Sequence, residues 1–259
     1  LDPQATQPLY PILEFDPTPT ALIEPSRVLK PIDIPEHCVL CFFQEVVTQV
    51  CGESKVRTVK HLNSEIGLNP IYEMAIEGKR LAMVHPGVGA PLSAAFLEEL
   101  IALGCRKFIA CGGSGVLNRE IAVGRMVVPD CAVRDEGVSY QYLPPAREVA
   151  ASPAGVQAIV ETLQRHGIPY VVGKTWTTDA IYRETPARIV RRKAEGCLTV
   201  EMEAAAFFAV AQFRGVTFAQ ILYGGDDLSG SEWDHRDWLR QASTREKVFW
   251  LAAEACLKL

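Results

Sequence analysis

A chain of 259 residues, 48% of them apolar, buries roughly 70–75% of its unfolded surface and so has material for a real core. Its net charge of −5 and the lack of a basic cluster exclude a phosphate-backbone binder, and Arg191, Arg192 and Lys193 read as the solvated end of a helix. No apolar run reaches the ~18 residues of a membrane-spanning helix, and the N-terminus is Pro-rich and acidic rather than basic and apolar. The expectation is a cytoplasmic protein with neither nucleic acid nor membrane as partner, its eight cysteines being thiols in a reducing environment.

Residues 1–36 carry eight prolines and little periodicity, which predicts an extended arm over the domain or a neighbouring subunit. Residues 37–259 then read as one domain. Cys38–Phe43 is a candidate buried strand, so Cys38 and Cys41 read as structural thiols rather than a metal or redox pair. Gln44–Val50 follows as a short helix, and Ile71–Glu77 with Arg80–Val84 as a hairpin around Gly78-Lys79. Pro91–Leu103 is a helix opened by Pro and ended by Gly104; Lys107–Cys111 and Arg125–Val128 are strands. Pro153–His166 is a helix stopped by Gly167, Tyr170–Thr175 and Leu198–Glu201 are strands, and Glu203–Arg214 is a helix. Thr217–Tyr223 is a strand and Thr244–Leu257 the closing helix. Buried strands alternating with helices imply a three-layer α/β/α sandwich on a mixed central sheet.

Four features sit where such sheets bind ligands, at the carboxyl ends of strands. His85-Pro86-Gly87-Val88-Gly89-Ala90-Pro91 joins a strand to a helix start, where glycine admits close backbone approach and free N–H groups meet a polar ligand. Cys111-Gly112-Gly113-Ser114-Gly115 reads equally as an oxyanion cradle or a tight turn. In Val200-Glu201-Met202-Glu203-Ala204-Ala205, residues two apart share a strand face, so both acids can aim at a ligand. Acids there also offset a helix dipole. Asp226-Asp227 follows Gly224-Gly225 and taken alone reads as a turn.

In this order, the four elements resemble the nucleoside phosphorylase family that includes uridine phosphorylase, hexameric purine nucleoside phosphorylase and methylthioadenosine nucleosidase. The resemblance covers about residues 80–228, and Thr177-Thr178-Asp179-Ala180-Ile181-Tyr182 is similar to the family's base-pocket segment. It implies that Glu203 accepts hydrogen bonds from the ribose hydroxyls, with Met202 on the sugar's apolar face and Glu201 in support. Gly87, Val88 and Gly89 would also line the substrate pocket. Ile181 stands where the family has a stacking Phe, with Tyr182 beside it, and Asp226 matches the acid that assists a purine leaving group through N7. Gly112, Gly113 and Ser114 would hold phosphate, the co-substrate, and no metal or other cofactor is implied. Bond cleavage builds positive charge on ribose and negative charge on the base, and two carboxyl groups address those two ends.

The chain departs from the family at the anion. Phosphorolytic relatives have an Arg two residues before the Gly-rich stretch, where this chain has Ala110, and a Gly-Asp-Pro-x-Arg loop where it has Phe43-Gln44-Glu45. Arg27 precedes the strand and is not the equivalent; Arg57 from a neighbouring subunit is a candidate. A dimer or hexamer is therefore expected, with phosphorolysis of a purine nucleoside first, hydrolysis by water second and non-catalytic nucleoside binding third. His85 reads as structural or at the pocket mouth, Trp233, Trp238 and Trp250 as core or interface. Arg236 and Arg240 are candidate partners of Asp226.

Overall fold

The computed structural model describes residues 8–52 and 56–259, so residues 1–7 of the expected arm lie outside the described residues. After α1 (Pro25–Val28) come β1 (His37–Cys41), α2 (Gln44–Cys51), β2 (Arg57–Ser64), β3 (Gly67–Ile76) and β4 (Lys79–Val84). The middle of the chain forms α3 (Ala90–Leu103), β5 (Lys107–Val116), β6 (Met126–Asp135), α4 (Ser139–Tyr142) and β7 (Glu148–Ala150). Then follow α5 (Pro153–Arg165), β8 (Tyr170–Thr178), α6 (Pro186–Ala194), β9 (Cys197–Glu201), α7 (Ala204–Arg214), β10 (Thr217–Asp227) and α8 (Ala242–Cys256).

The strands make one mixed sheet in the order β10-β6-β8-β9-β5-β1-β4-β3-β2, with β7 on β6. Because β5 also pairs with β10, the strands β5, β10, β6, β8 and β9 curl into a closed loop. The expected α/β/α arrangement is present: Cys38 and Leu40 of β1 face the cluster of α3 and α7, and Val39 and Cys41 face that of α2, α5 and α8. The two β1 cysteines thus lie on opposite faces of the sheet and cannot share a ligand. All eight cysteines are free, six of them buried.

Local chemistry accounts for the boundaries. Gly89 at φ +86° and Pro91 open α3, Gly104 at φ +134° closes it, and Pro153 opens α5. The β3–β4 hairpin turns on Glu77 and Gly78 (φ +49° and +80°), one residue earlier than expected, because a two-residue turn of this hand needs positive φ at both positions. The strand β2, rich in Lys, His and Asn, carries no period-2 signal in the sequence, since it forms an exposed sheet edge. Helix α5 approaches β10 closely: a Cβ on Gly155 would lie 2.7 Å from that of Ala219.

One expectation needs correction. Arg192 is buried, with Nη2 on Asp135 (2.8 Å) and Nη1 on Glu195 (3.0 Å), and its guanidinium stands over Trp176; only its neighbours are solvated. Arg57 bonds Glu73 of its own chain at 2.7 Å. In the arm, Glu24 is buried against Arg214, Ile34 enters the core, and the backbone of Ile32 bonds Leu103 of α3. No helix of the described residues is long and apolar enough to cross a membrane.

Candidate active site

A cavity of ≈ 330 Å³ opens where β1, β5, β9 and β10 end. Val88, Gly112, Gly113, Ser114, Ile181, Glu201, Met202, Glu203 and Asp226 all line it. A larger hollow of ≈ 1090 Å³ lies between the arm and α3 but holds none of the site residues expected from the sequence. Three expected residues stay outside the smaller cavity. Tyr182 is 95% exposed, because a short helical turn at residues 181–183 aims it outward. Gly87 packs on Leu92, and Gly89 contributes only its backbone. His85 is a structural residue: Nδ1 accepts the Gly87 N–H at 3.1 Å and the ring meets Phe42 edge-on.

At the junction of β9 and α7 the two acids do different work. Glu201 turns back on the protein, accepting from Thr177 Oγ1 (2.6 Å) and from the N–H groups of Glu203 (2.8 Å) and Ala204 (2.7 Å). It thereby satisfies two otherwise free donors at the start of α7. Glu203 is the N-cap residue, and its Oε1 accepts the Gly89 N–H at 2.6 Å, which ties the junction to the start of α3. Burial pushes both carboxyls above the usual range, and the charge of Glu201 adds to the lift at Glu203.

The Gly-rich segment is neither a cradle loop nor a tight turn but the continuation of β5, held along residues 112–114 by β10. Packing is tight at both glycines: a Cβ on Gly112 would meet Phe42 at 3.2 Å, and one on Gly113 would meet the Tyr223 ring at 3.2 Å. β5 changes neighbour here. β1 pairs with it up to Cys111 and β9 takes over at Gly115. Cys111 C=O still accepts the Phe42 N–H, so strand alternation turns the N–H of Gly113 into the gap between them.

Asp226 owes its position to a register shift. β10 pairs with β5 at Gly224–Ser114 and again at Asp227–Val116, and the bulge between them turns Asp226 toward the cavity. Its Oδ2 accepts the Trp233 indole N–H at 2.6 Å. The expected arginine partner goes elsewhere: Arg236 pairs with Asp227, and Arg240 is exposed. Trp233 and Trp238 line the cavity rather than the core, and Trp250 packs on Phe249.

The phosphorylase superfamily family model matches residues 36–258. This chain belongs to the phosphorylase superfamily. It is 29% identical to a guanosine phosphorylase of Halorubrum lacusprofundi over 151 residues, 58% of this chain and 63% of the relative. It is 28% identical over 163 residues to a DeoD-type purine nucleoside phosphorylase of Colwellia psychrerythraea, covering 62% and 70% of the two chains. With a uridine phosphorylase of Salmonella typhimurium it shares 29% identity over 160 residues, 56% and 63%. The match thus spans less than two thirds of the guanosine and uridine phosphorylases. The crystal structure of uridine phosphorylase from Vibrio fischeri superimposes with a TM-score of 0.74 over 88% of this chain and 94% of that one at 23% identity, which shows the shared fold.

Within this superfamily fold, the site has residues that the sequence reading missed. Ala110 is fully buried and pairs with Leu40 on one side and Gln220 on the other. Gln220 lines the cavity with its Oε1 unpartnered; a lone amide inside the apolar run Phe218–Tyr223 was its signal. Arg245 lines the cavity from the first turn of α8, three and four residues before the buried Val248 and Phe249 and so on the same helix face. Glu184 lines it near Asp226, and its carboxyl is pushed up to about 7, by burial first and then by the charge of Asp226. No periodicity marked Glu184. Among the described residues no cluster of three His, Cys, Asp or Glu converges as a metal site.

Proposed function

We propose that this chain cleaves the N-glycosidic bond of a purine ribonucleoside and passes the ribosyl group to inorganic phosphate, releasing free base and ribose 1-phosphate. One observation carries the reading: Glu203, held by the Gly89 N–H, and Asp226, presented on a strand bulge, share one nucleoside-sized cavity with Met202. Glu203 takes the ribose hydroxyls while positive charge builds on the sugar. Asp226, oriented by the Trp233 indole, stabilises charge on the leaving base through N7, which favours purines. Relatives that act on guanosine, purine nucleosides and uridine support the reaction class. No cofactor beyond phosphate is needed, and we place the protein in the cytoplasm as a homo-oligomer. A second reading, water as acceptor, is favoured by Ala110 in place of a guanidinium and by Phe42 packed on Gly112.

The test is a product assay on a nucleoside panel with and without phosphate. Phosphate-dependent release of base and ribose 1-phosphate supports the first reading; free ribose at an equal rate without phosphate selects the second. Asp226→Asn is expected to lower kcat on the best purine substrate by about 10²-fold with KM little changed, as for loss of a leaving-group acid. Uridine as best substrate, with Asp226→Asn silent, would remove the purine assignment.

A further inference from the structure

The phosphorolysis reading leaves a charge problem. Phosphate arrives as an anion in a cavity lined by Glu184, Glu201, Glu203 and Asp226, and the strand position that would offer a guanidinium holds Ala110. Among the described residues lining that cavity, the one cation is Arg245. It comes from α8, on the far side of the sheet from α3 and α7.

Its geometry suits an oxyanion. The Arg245 guanidinium stands over the Phe43 ring, 4.7 Å from its centroid, and Nη1 bonds Glu45 at 2.6 Å. The Phe43 ring lies 5.8 Å from that of Tyr223, and Tyr223 packs directly on Gly113. Phe43, Gly113 and Arg245 all line the cavity, with the Phe43 and Tyr223 rings between the guanidinium and Gly113. Arg245 is held firmly, with its side chain only 14% exposed. Yet its Nε is buried and has no partner. With Nη1 occupied, the Nε–Nη2 edge remains. That edge is the planar two-donor fork that matches two oxygens of a phosphate. Arg125 and Arg192 also leave Nε unpaired, so what singles out Arg245 is its place in the cavity wall.

We propose that Arg245, reaching across from α8, supplies the cation of the acceptor subsite in place of the strand arginine that this chain lacks at Ala110. Resting on the phosphorolysis reading, the assignment makes the Arg245 guanidinium the cation from which phosphate oxygens accept. Glu45, half-exposed and bonded to Nη1, orients the fork and weakens the net attraction, which sets a modest affinity.

The experiment measures KM for phosphate and for nucleoside in wild type, Arg245→Met and Arg245→Lys. It also measures the rise in Tm that inorganic phosphate produces in each protein without nucleoside. The expected result is a KM for phosphate raised about tenfold or more in Arg245→Met, with KM for nucleoside unchanged and the phosphate-induced rise in Tm abolished. Arg245→Lys keeps the charge but not the fork, so it recovers part of both. If Arg245→Met does not fold, Arg245→Lys still has to show a weakened phosphate KM. Phosphate-dependent turnover with a wild-type phosphate KM in the folded variants overturns the assignment and leaves the phosphorolysis reading standing. Phosphate-independent release of ribose by the wild type, with no effect of phosphate on its Tm, overturns the reading itself and Arg245's role with it.

Discussion

Glu203 and Glu201 differ by two positions in the chain and by almost everything in their surroundings. Glu201 spends its oxygens on Thr177 and on two backbone donors of α7, so it builds the junction. Glu203 accepts the Gly89 N–H through Oε1 and lines the cavity. Glu203→Ala is expected to leave a folded protein and to lower kcat by about 10²-fold or more, as when an interaction that strengthens in the transition state is lost. Steady-state kinetics beside a circular dichroism melt decide it, and wild-type turnover would sink the assignment. Glu184 gives a prediction in pH. Its folded carboxyl titrates at about 7, against an ordinary value of 4.5, because burial and Asp226 disfavour the charge. Between those values the folded state holds more protons than the unfolded one, so its stabilising contribution is complete below 4.5 and declines as pH rises to about 7. Glu184→Gln removes that dependence: its Tm should exceed the wild-type Tm at about pH 8 and converge on it near pH 4.5. Parallel melting curves at both pH values would contradict this.

At the scale of the element, close approach rather than chain flexibility explains the glycines that matter. Gly112 and Gly113 admit the Phe42 and Tyr223 rings, and Gly155 lets α5 settle on β10 with Ala219 directly beneath it. A methyl group on Gly155 would lie 2.7 Å from Ala219 Cβ and 3.3 Å from its backbone nitrogen, where neither atom can move without shifting the sheet. Gly155→Ala is therefore expected to cost about 1–3 kcal/mol by overpacking, despite the better helix propensity of alanine. Denaturant titration reads that loss, and an unchanged midpoint would mean that α5 can slide outward. The same register logic places Asp226: the strand bulge between Gly224 and Asp227 separates two adjacent acids into one facing the cavity and one paired with Arg236. Hydropathy does not distinguish the two, because the bulge arises from where β5 and β10 pair.

Across the described residues, exposed large apolar side chains fall on the arm, at the sheet edge and around the cavity. Leu22, Ile23 and Val28 are exposed on the arm, as are Ile66 and Leu68 at the tip of the β2–β3 hairpin. Isolated exposed apolar side chains are ordinary, but several such residues on these two segments mark surface that association would cover. We expect a homo-oligomer in solution, and light scattering that finds a fully active monomer would refute it.

Short-range pattern was legible along the chain. Buried runs such as Val39–Cys41 and Ile109–Cys111, helix starts at Pro91 and Pro153, helix stops at Gly104 and Gly167, and the Glu-Met-Glu junction all stand in the sequence. Each follows from the preferences of a few neighbouring residues, so the alternation of strands and helices needs no knowledge of the fold. Which of those residues meet is settled only by folding. Pairing with β10 and β9 extends β5 through Gly112–Gly115. Packing turns Tyr182 outward and buries Arg192 against Asp135. The last helix brings Arg245 to the cavity of Glu203 and Asp226. The physical reason is common to all of these. A side chain's role depends on which remote neighbour satisfies its charge or fills its space, and that choice is made only when the sheet closes.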